Sequence, residues 1–192
     1  MSRVLQLRGI DCSGKTTACH GYARKHGPIE AYDVWAGDKY LPVAVTADAV
    51  MLGDYTVVKQ TAGADCHQSN KRPFTVLEEV MREWPGRDIV FEGYIFGKSI
   101  KLAVDLDRFC RDRGYSYTTP WFRIPFDEVE RGLSMRNGNG RRNWDATHAA
   151  MAKLDRMQPK AVAEGVSSPV EDTSCIPVCE MHRLIEGYLR WK

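Results

Sequence analysis

A nine-residue run near the start of the chain, GIDCSGKTT at positions 9–17, constrains the fold more than any other feature. It matches the pattern G-x-x-x-x-G-K-S/T at every position. A mostly apolar run at positions 4–7 precedes it, and positions 17–23 are suited to a helix, so the order is strand, loop and helix. This order predicts a loop whose backbone N–H groups curl around phosphate oxygens at the start of a helix.

Each side chain of this loop has an expected part in holding a nucleoside triphosphate. Gly9 and Gly14 permit the backbone angles and the close approach that the curl needs. Lys15 is expected to neutralise the β- and γ-phosphates, and the Thr16 hydroxyl is the expected ligand of Mg²⁺. ATP and Mg²⁺ are therefore the predicted cofactors. The predicted ATP-binding residues of the loop are Gly9, Cys12, Ser13, Gly14, Lys15, Thr16 and Thr17.

The composition narrows the class of protein. The 192 residues suffice for one domain, and a hydrophobic content of 43% can build a core. The 27 Lys and Arg against 25 Asp and Glu leave a formal charge of +2, so bulk charge favours no particular partner. The sequence shows no run of eighteen apolar residues and no charged-then-apolar leader, which predicts a cytoplasmic protein without a membrane span.

Two further carboxylates lie where strands are expected to end. Positions 29–35 form an extended stretch with Asp33 near its C-terminal end, and positions 88–93 form an apolar strand with Glu92 before a glycine. In an open parallel sheet the carboxyl ends of the strands face the ligand crevice. Glu92 is therefore predicted to reach Mg²⁺, its water shell or the acceptor. Asp33 is a candidate for the general base or for orienting the acceptor.

Four arginines follow one another late in the chain without an intervening acid. They are Arg131, Arg136, Arg141 and Arg142, and glycines lie between them. A planar guanidinium engages two phosphate oxygens and stays charged at any working pH. Residues 131–145 are therefore predicted to form a mobile lid that closes over the transferring phosphoryl group. Arg131 and Arg136 are its predicted catalytic residues, and Arg141 and Arg142 are expected to bind ATP.

The rest of the chain alternates between strand and helix patterns, which predicts an α/β fold. The expected elements are a hairpin over 41–52, helices over 75–84, 97–113, 125–136, 143–157 and 178–191, a strand over 117–124, and an exposed connector over 167–173. Together they predict one domain over 1–192, a P-loop kinase of the nucleoside and nucleotide kinase type. It has a central parallel sheet flanked by helices, an Arg-rich lid and a candidate small insertion over 41–73.

Such a domain is expected to move the γ-phosphoryl group of ATP to a hydroxyl acceptor, mainly by positioning and charge neutralisation. One carboxylate would hold the acceptor hydroxyl, and the sequence leaves Asp11, Asp33 and Glu92 open for this role. A non-catalytic ATP-binding regulator is the alternative from another functional class.

The phosphate loop resembles that of thymidylate kinases, in which an Asp at the third position of the loop contacts the nucleotide acceptor. This resemblance makes Asp11 a candidate acceptor ligand. The Asp-Arg-Tyr/His signature of that family is missing elsewhere, and only the Asp-Arg-Phe run at 107–109 is similar to it.

From about position 41 to position 142 the chain more closely resembles bacteriophage P-loop kinases of DNA base hypermodification, the 5-hydroxymethyluracil DNA kinases. The resemblance rests on AVMLGDY at 49–55, AGAD at 62–65, IVFEGYIFGKS at 89–99 and the arginine lid. It implies phosphorylation of the 5-hydroxymethyl group of a thymine-like base in DNA, in the host cytoplasm. Asp65 and Tyr94 then join Asp11 as candidate acceptor-binding residues, and a deoxynucleoside monophosphate is the alternative acceptor.

A base in a DNA duplex must leave the helix before a γ-phosphate can reach it, so this acceptor requires exposed aromatic rings and local positive charge. The candidate stacking residues are Trp35, Tyr40, Tyr55, Tyr94, Phe96 and Trp144. The candidate phosphate contacts are Lys71, Arg72, Lys98, Lys101, Arg141 and Arg142.

Overall fold

A computed structural model describes residues 1–10, 12–56, 72–93, 99–137 and 144–190 of the chain. Within these ranges the chain forms eight strands and six α-helices. The strands are β1 (Ser2–Gly9), β2 (Glu30–Trp35), β3 (Tyr40–Val45), β4 (Ala49–Leu52), β5 (Asp88–Glu92), β6 (Tyr115–Thr118), β7 (Trp121–Arg123) and β8 (Val170–Asp172). The helices are α1 (Lys15–Lys25), α2 (Arg72–Glu83), α3 (Ile100–Arg111), α4 (Phe126–Asn137), α5 (Trp144–Ala163) and α6 (His182–Arg190), with a 3₁₀ turn at Val178–Glu180.

The strands form a single sheet in the order β2-β3-β4-β5-β1-β7-β8, and β6 also pairs with β1. Strand β1 is parallel to β5, β6 and β7, while β4 is parallel to β5 and β8 is parallel to β7. Strands β2 and β3 form antiparallel pairs at one edge. The predicted parallel sheet is therefore confirmed for the centre, whereas an antiparallel hairpin extends it at the β2 edge.

Three differences from the predicted elements each have a local reason. The single strand predicted over 117–124 is two strands, because the chain bends at Pro120 and its two halves pair with successive parts of β1. The predicted connector over 167–173 contains β8, which pairs in parallel with β7. Helix α5 continues through Pro159, which lies on its exposed side, where water can satisfy the carbonyl group that the proline leaves without a donor.

Successive side chains of β1 point to opposite faces of the sheet, so that each face has its own apolar core. Val4 packs with residues of α2 and α3, whereas Leu5 and Leu7 pack with residues of α1 and α6. A third apolar cluster, which includes Ile10 and Trp121, joins the end of β1 to α4 and α5. These three clusters place one helix layer on each face and bring α4 and α5 to the carboxyl ends of the central strands.

None of the helices in the described part of the chain is long and apolar enough to cross a membrane.

Helix α6 is attached to α1 through a nearly buried carboxylate. The Oε1 atom of Glu186 lies 2.9 Å from Lys25 Nζ and 2.9 Å from His26 Nε2, and His26 Nδ1 lies 2.7 Å from Asp48 Oδ2. Burial alone would raise the pKa of Glu186. Hydrogen bonds from His26 and Lys25 and the charges of Lys25 and Arg190 outweigh burial and lower its pKa to about 2.

We expect Glu186→Gln to lower the free energy of unfolding by about 1–3 kcal/mol near neutral pH, because Lys25 and His26 lose a charged acceptor. The folded-state pKa lies below the ordinary value of 4.5, so the ionised carboxylate stabilises the fold above that pH and loses its contribution as the pH falls toward 2. Urea unfolding at a series of pH values should therefore show the two proteins converging in acid.

Glu180→Gln is the matched control for this prediction, since the exposed Arg183–Glu180 pair at 2.9 Å is screened by water. An equal loss of stability in both variants, or a difference that persists at about pH 2, would contradict the assigned role of Glu186.

Candidate functional site

The predicted phosphate loop, at positions 10–14, joins the end of β1 to the start of α1, so the predicted order of strand, loop and helix is confirmed. Gly14 precedes the helix with a left-handed φ of 87°. Gly9 has a φ of 150°, and a Cβ at this position would lie 2.6 Å from both the Phe122 carbonyl oxygen and Ser13 Oγ. Both glycines are therefore required by the backbone, since other residues rarely adopt such angles and Gly9 has no room for a side chain.

Lys15 lies at the centre of this loop, with a side chain that is almost fully buried. Its ammonium group donates to the carbonyl oxygens of Gly9 at 2.9 Å and Ile10 at 2.7 Å, and it lies 3.3 Å from Ser13 Oγ. The positive charge is thus held where the loop and the N-terminus of α1 meet. A phosphate bound at this helix N-terminus would compete with these oxygens for the ammonium donors.

The Thr16 hydroxyl donates to Glu92 Oε1 at 2.9 Å. Glu92 ends β5 in register with Leu7 of β1 and is only 5% exposed. The strand pairing therefore brings the two predicted Mg²⁺ ligands together from positions 76 residues apart.

Mg²⁺ prefers oxygen ligands and usually keeps several waters, so one hydroxyl and one carboxylate beside a phosphate site suit it. Among the described residues, no group of three or more His, Cys, Asp or Glu side chains could hold a metal ion. The pair formed by Thr16 and Glu92, which a hydrogen bond joins, is the candidate Mg²⁺ site.

Three residues that the sequence analysis did not single out hold the loop from outside. The Thr173 hydroxyl lies 3.1 Å from the Ser13 carbonyl oxygen and 3.1 Å from the Arg123 carbonyl oxygen. A Cβ added to Gly132 of α4 would lie 3.1 Å from Cys12, and one added to Gly14 would lie 2.3 Å from Met181 Cε. No sequence signal marked Thr173, because the strand that precedes it, β8, was predicted to be part of an exposed connector.

A cavity of about 240 Å³ opens beside the loop, between the ends of β7 and β8 and helix α5. Its wall is mostly apolar, and an ion pair between Arg123 and Asp155 at 2.8 Å lies among its lining residues. The lining includes Gly9, Trp121, Phe126, Met151, Gln158 and Asp172. A concave, largely apolar space with a few polar groups is typical of a small-molecule site.

The structure does not bring every predicted site residue to the loop. Asp33 is exposed on the edge strand β2, four strands from β1, which corresponds to about 19 Å at the usual spacing of strands. The exposed Arg131 side chain lies 3.8 Å from Glu128 on α4, the helix that meets the loop at Gly132. The predicted side chains outside the described residues are those of Asp11, Asp65, Tyr94, Arg136, Arg141 and Arg142.

Comparison with known proteins supports the fold alone. No protein-family profile and no curated protein matches the sequence significantly. The fold is similar to the structure of the Deinococcus radiodurans tunicamycin resistance protein, with a TM-score of 0.56 and 16% sequence identity over 100% of this chain and 98% of that chain. The two proteins thus share a mixed α/β fold with a central sheet and flanking helices.

We expect Gly9→Ala to lower the free energy of unfolding by about 3 kcal/mol or more, because the new methyl group meets a backbone carbonyl that cannot move aside. The matched control is Gly165→Ala, where φ is 82° but nothing lies within 4 Å of the added Cβ. That variant should cost only about 1–2 kcal/mol of backbone strain. Thermal unfolding of both variants measures the difference, and equal losses would contradict the close approach at Gly9.

Proposed function

We propose that this protein is an ATP-dependent phosphotransferase that moves the γ-phosphoryl group of ATP to a hydroxyl acceptor. The observation that carries the proposal is the hydrogen bond between Thr16 and Glu92 beside the Lys15 ammonium group. A cation, a hydroxyl and a carboxylate around one helix N-terminus are the groups that phosphoryl transfer with Mg²⁺ needs. The fold shared with the tunicamycin resistance protein is consistent with this proposal.

The residues of the loop have separate roles in the proposed reaction. Lys15 exchanges its bonds to loop carbonyl groups for bonds to phosphate oxygens and neutralises their charge. Thr16 and Glu92 would hold Mg²⁺, which would supply positive charge to neutralise the phosphate oxygens during transfer. Since Glu92 is engaged with Thr16, we assign the contact to the acceptor hydroxyl to Asp11, following the resemblance of the loop to thymidylate kinases.

We propose that the base of ATP occupies the cavity beside the loop. That cavity begins at Gly9 and Ile10, where the phosphates would end, and its aromatic and aliphatic wall suits the faces of a purine. The arginines of the predicted lid, Arg131 and Arg136, would then approach the phosphates from α4, which already packs on the loop at Gly132.

For the acceptor we propose the 5-hydroxymethyl group of 5-hydroxymethyluracil in DNA, where phosphorylation converts a hydroxyl into a leaving group. The resemblance at positions 89–99 supports this acceptor, and so do two of the candidate stacking residues. Trp35 and Tyr40 are 45% and 65% exposed, with ring centroids 5.1 Å apart, at the carboxyl end of β2 and the start of β3. This is the same end of the sheet as the phosphate loop, although β2 lies four strands from β1. Tyr55, in contrast, is buried and not available for stacking.

A deoxynucleoside monophosphate is the alternative acceptor. The full-length structural likeness to a tunicamycin resistance protein adds tunicamycin to the hydroxyl-bearing molecules worth testing. A regulator that binds ATP without turnover is the alternative from another class. Transfer of the γ-phosphoryl group to any acceptor in the test would exclude it.

We expect Lys15→Ala to lower the rate of phosphoryl transfer by at least about 10²–10³-fold, because a preorganised charge is lost from the transition state. Glu92→Gln should lower kcat more than it changes the KM for ATP, since the proposed role of the carboxylate is at the transferring phosphoryl group and not at the adenine base. The control is Lys160→Ala, an exposed lysine in the last turn of α5. Steady-state transfer from labelled ATP measures these effects, and near-normal turnover in Lys15→Ala would refute the proposed role of the loop.

Labelled ATP should transfer its γ-phosphoryl group to DNA that contains 5-hydroxymethyluracil, but not to plain DNA. Free deoxynucleoside monophosphates and tunicamycin complete the panel of acceptors. Because stacking on an aromatic ring contributes about 1–3 kcal/mol for each base, Trp35→Ala should lower kcat/KM for modified DNA about tenfold.

Tyr32→Ala is the matched control for this test. Tyr32 is 43% exposed on the same strand as Trp35, but it packs against Trp84 on the other face of the sheet. Labelling of free nucleotides without labelling of the polymer would refute the DNA acceptor and leave the kinase assignment in place.

A further inference from the structure

A second cavity lies at the opposite end of β1 from the phosphate loop. It has a volume of about 560 Å³ and opens between α6 and the face of the sheet. Arg3, which lines it, is six residues before Gly9 on the same strand, which corresponds to about 20 Å. The cavity is therefore separate from the site proposed for ATP.

The sheet face is polar where it lines this cavity and apolar beyond it. Arg3 is in register with Ser116, and Leu5 is in register with Thr118. Further along the same face of β1, Leu5 and Leu7 are 1% and 0% exposed. Polar residues thus replace core residues only at this end of the face, as expected for a surface that binds a polar molecule.

Opposite charges line the cavity, and each has few hydrogen bonds to other residues in the described part of the chain. The Arg3 guanidinium is half-buried, and Nη1 donates to the Tyr188 carbonyl oxygen at 2.8 Å. Glu171 accepts a hydrogen bond from the Tyr188 hydroxyl, whose pKa is raised by burial and by this carboxylate. Within the described part of the chain, neither Arg3 nor Glu171 forms an ion pair, although a guanidinium carries five donors and a carboxylate about four acceptor positions.

A second arginine stands at the wall formed by α6. Arg183 also lines the cavity, and its only ion-pair partner among the described residues is the partly exposed Glu180. Two guanidinium groups on facing elements suit a phosphate group, while the Glu171 carboxylate suits a ligand with N–H donors. Ser116 and Thr118 of β6 also line the cavity, and their hydroxyls suit a sugar.

We propose that this cavity binds a nucleoside monophosphate. The phosphate contacts Arg3 and Arg183, and the base donates to Glu171. Guanine fits this end best, because its N1–H and exocyclic amino group form two donors that match the two oxygens of a carboxylate. A volume of about 560 Å³ lies in the range of small-molecule sites.

Helix α6 connects this cavity to the phosphate loop. Leu184 and Tyr188 line the cavity, while Met181, just before the helix, reaches the position where a Cβ of Gly14 would lie. A ligand that fixes α6 therefore also restrains the chain beside the loop. The proposal does not depend on the acceptor or on the kinase activity proposed above.

The test is calorimetric titration of the full chain with dGMP, carried out on the Lys15→Ala protein so that binding at the phosphate loop is weakened. We expect dGMP to bind this protein, and Arg3→Gln or Glu171→Gln to weaken binding about tenfold or more, because each removes a charge-assisted contact. Arg108→Gln, an exposed arginine in the last turn of α3, is the matched control and should leave binding unchanged.

Ser116→Leu is the second variant, since it narrows the cavity without removing a charge or a described hydrogen bond. It tests whether dGMP occupies this cavity even if Arg3→Gln fails to fold. It should also weaken binding of dGMP about tenfold. The proposal is overturned if dGMP does not bind the Lys15→Ala protein, if binding is insensitive to Ser116→Leu, or if inorganic phosphate binds as tightly as dGMP.

Discussion

The close approach of β1 to β7 at Gly9 is the constraint on which the site depends. The Phe122 carbonyl oxygen occupies the space where a side chain at position 9 would lie, so the strand can end and turn only at a glycine. The turn that follows brings Ser13 and Lys15 under the start of α1. Strand β1 also pairs with β5 on its other side, and this register places Glu92 next to Leu7, two residues before Gly9.

Two buried groups of opposite charge, Lys15 and Glu92, lie at the phosphate loop. The Lys15 ammonium and the Glu92 carboxylate are both nearly buried, and opposite charges at such a place must be held by specific partners. The lysine is held by carbonyl groups of the loop, and the glutamate accepts a hydrogen bond from the Thr16 hydroxyl. The phosphate and the metal ion proposed above would replace these contacts and neutralise both charges.

The C-terminal part of the chain supports the site from the side. Thr173 joins the loop to the end of β7, Met181 packs on Gly14, and Glu186 attaches α6 to the far end of α1. The segment from Glu171 to Tyr188 thus includes residues that contact the phosphate loop and residues that line the cavity at the other end of β1. This arrangement gives the two proposed ligand sites a common structural element.

The sequence by itself determined the phosphate loop, the α/β class and the acid at the end of β5, because these are encoded in short runs of residues. A glycine spacing or an apolar strand followed by Glu92 can be recognised without knowing its neighbours. Such local patterns also predicted the hairpin of β3 and β4, which the structure confirms.

Only the tertiary structure decided which of these groups meet. Asp33 and Glu92 look alike in sequence, yet the strand order places one at the edge of the sheet and the other beside Thr16. Thr173 and Gly132 contact the loop from more than a hundred residues away, and no local pattern marks them. The physical reason is that strand order and helix packing follow from the burial of whole faces, so residues distant in sequence come together through contacts that no short segment encodes.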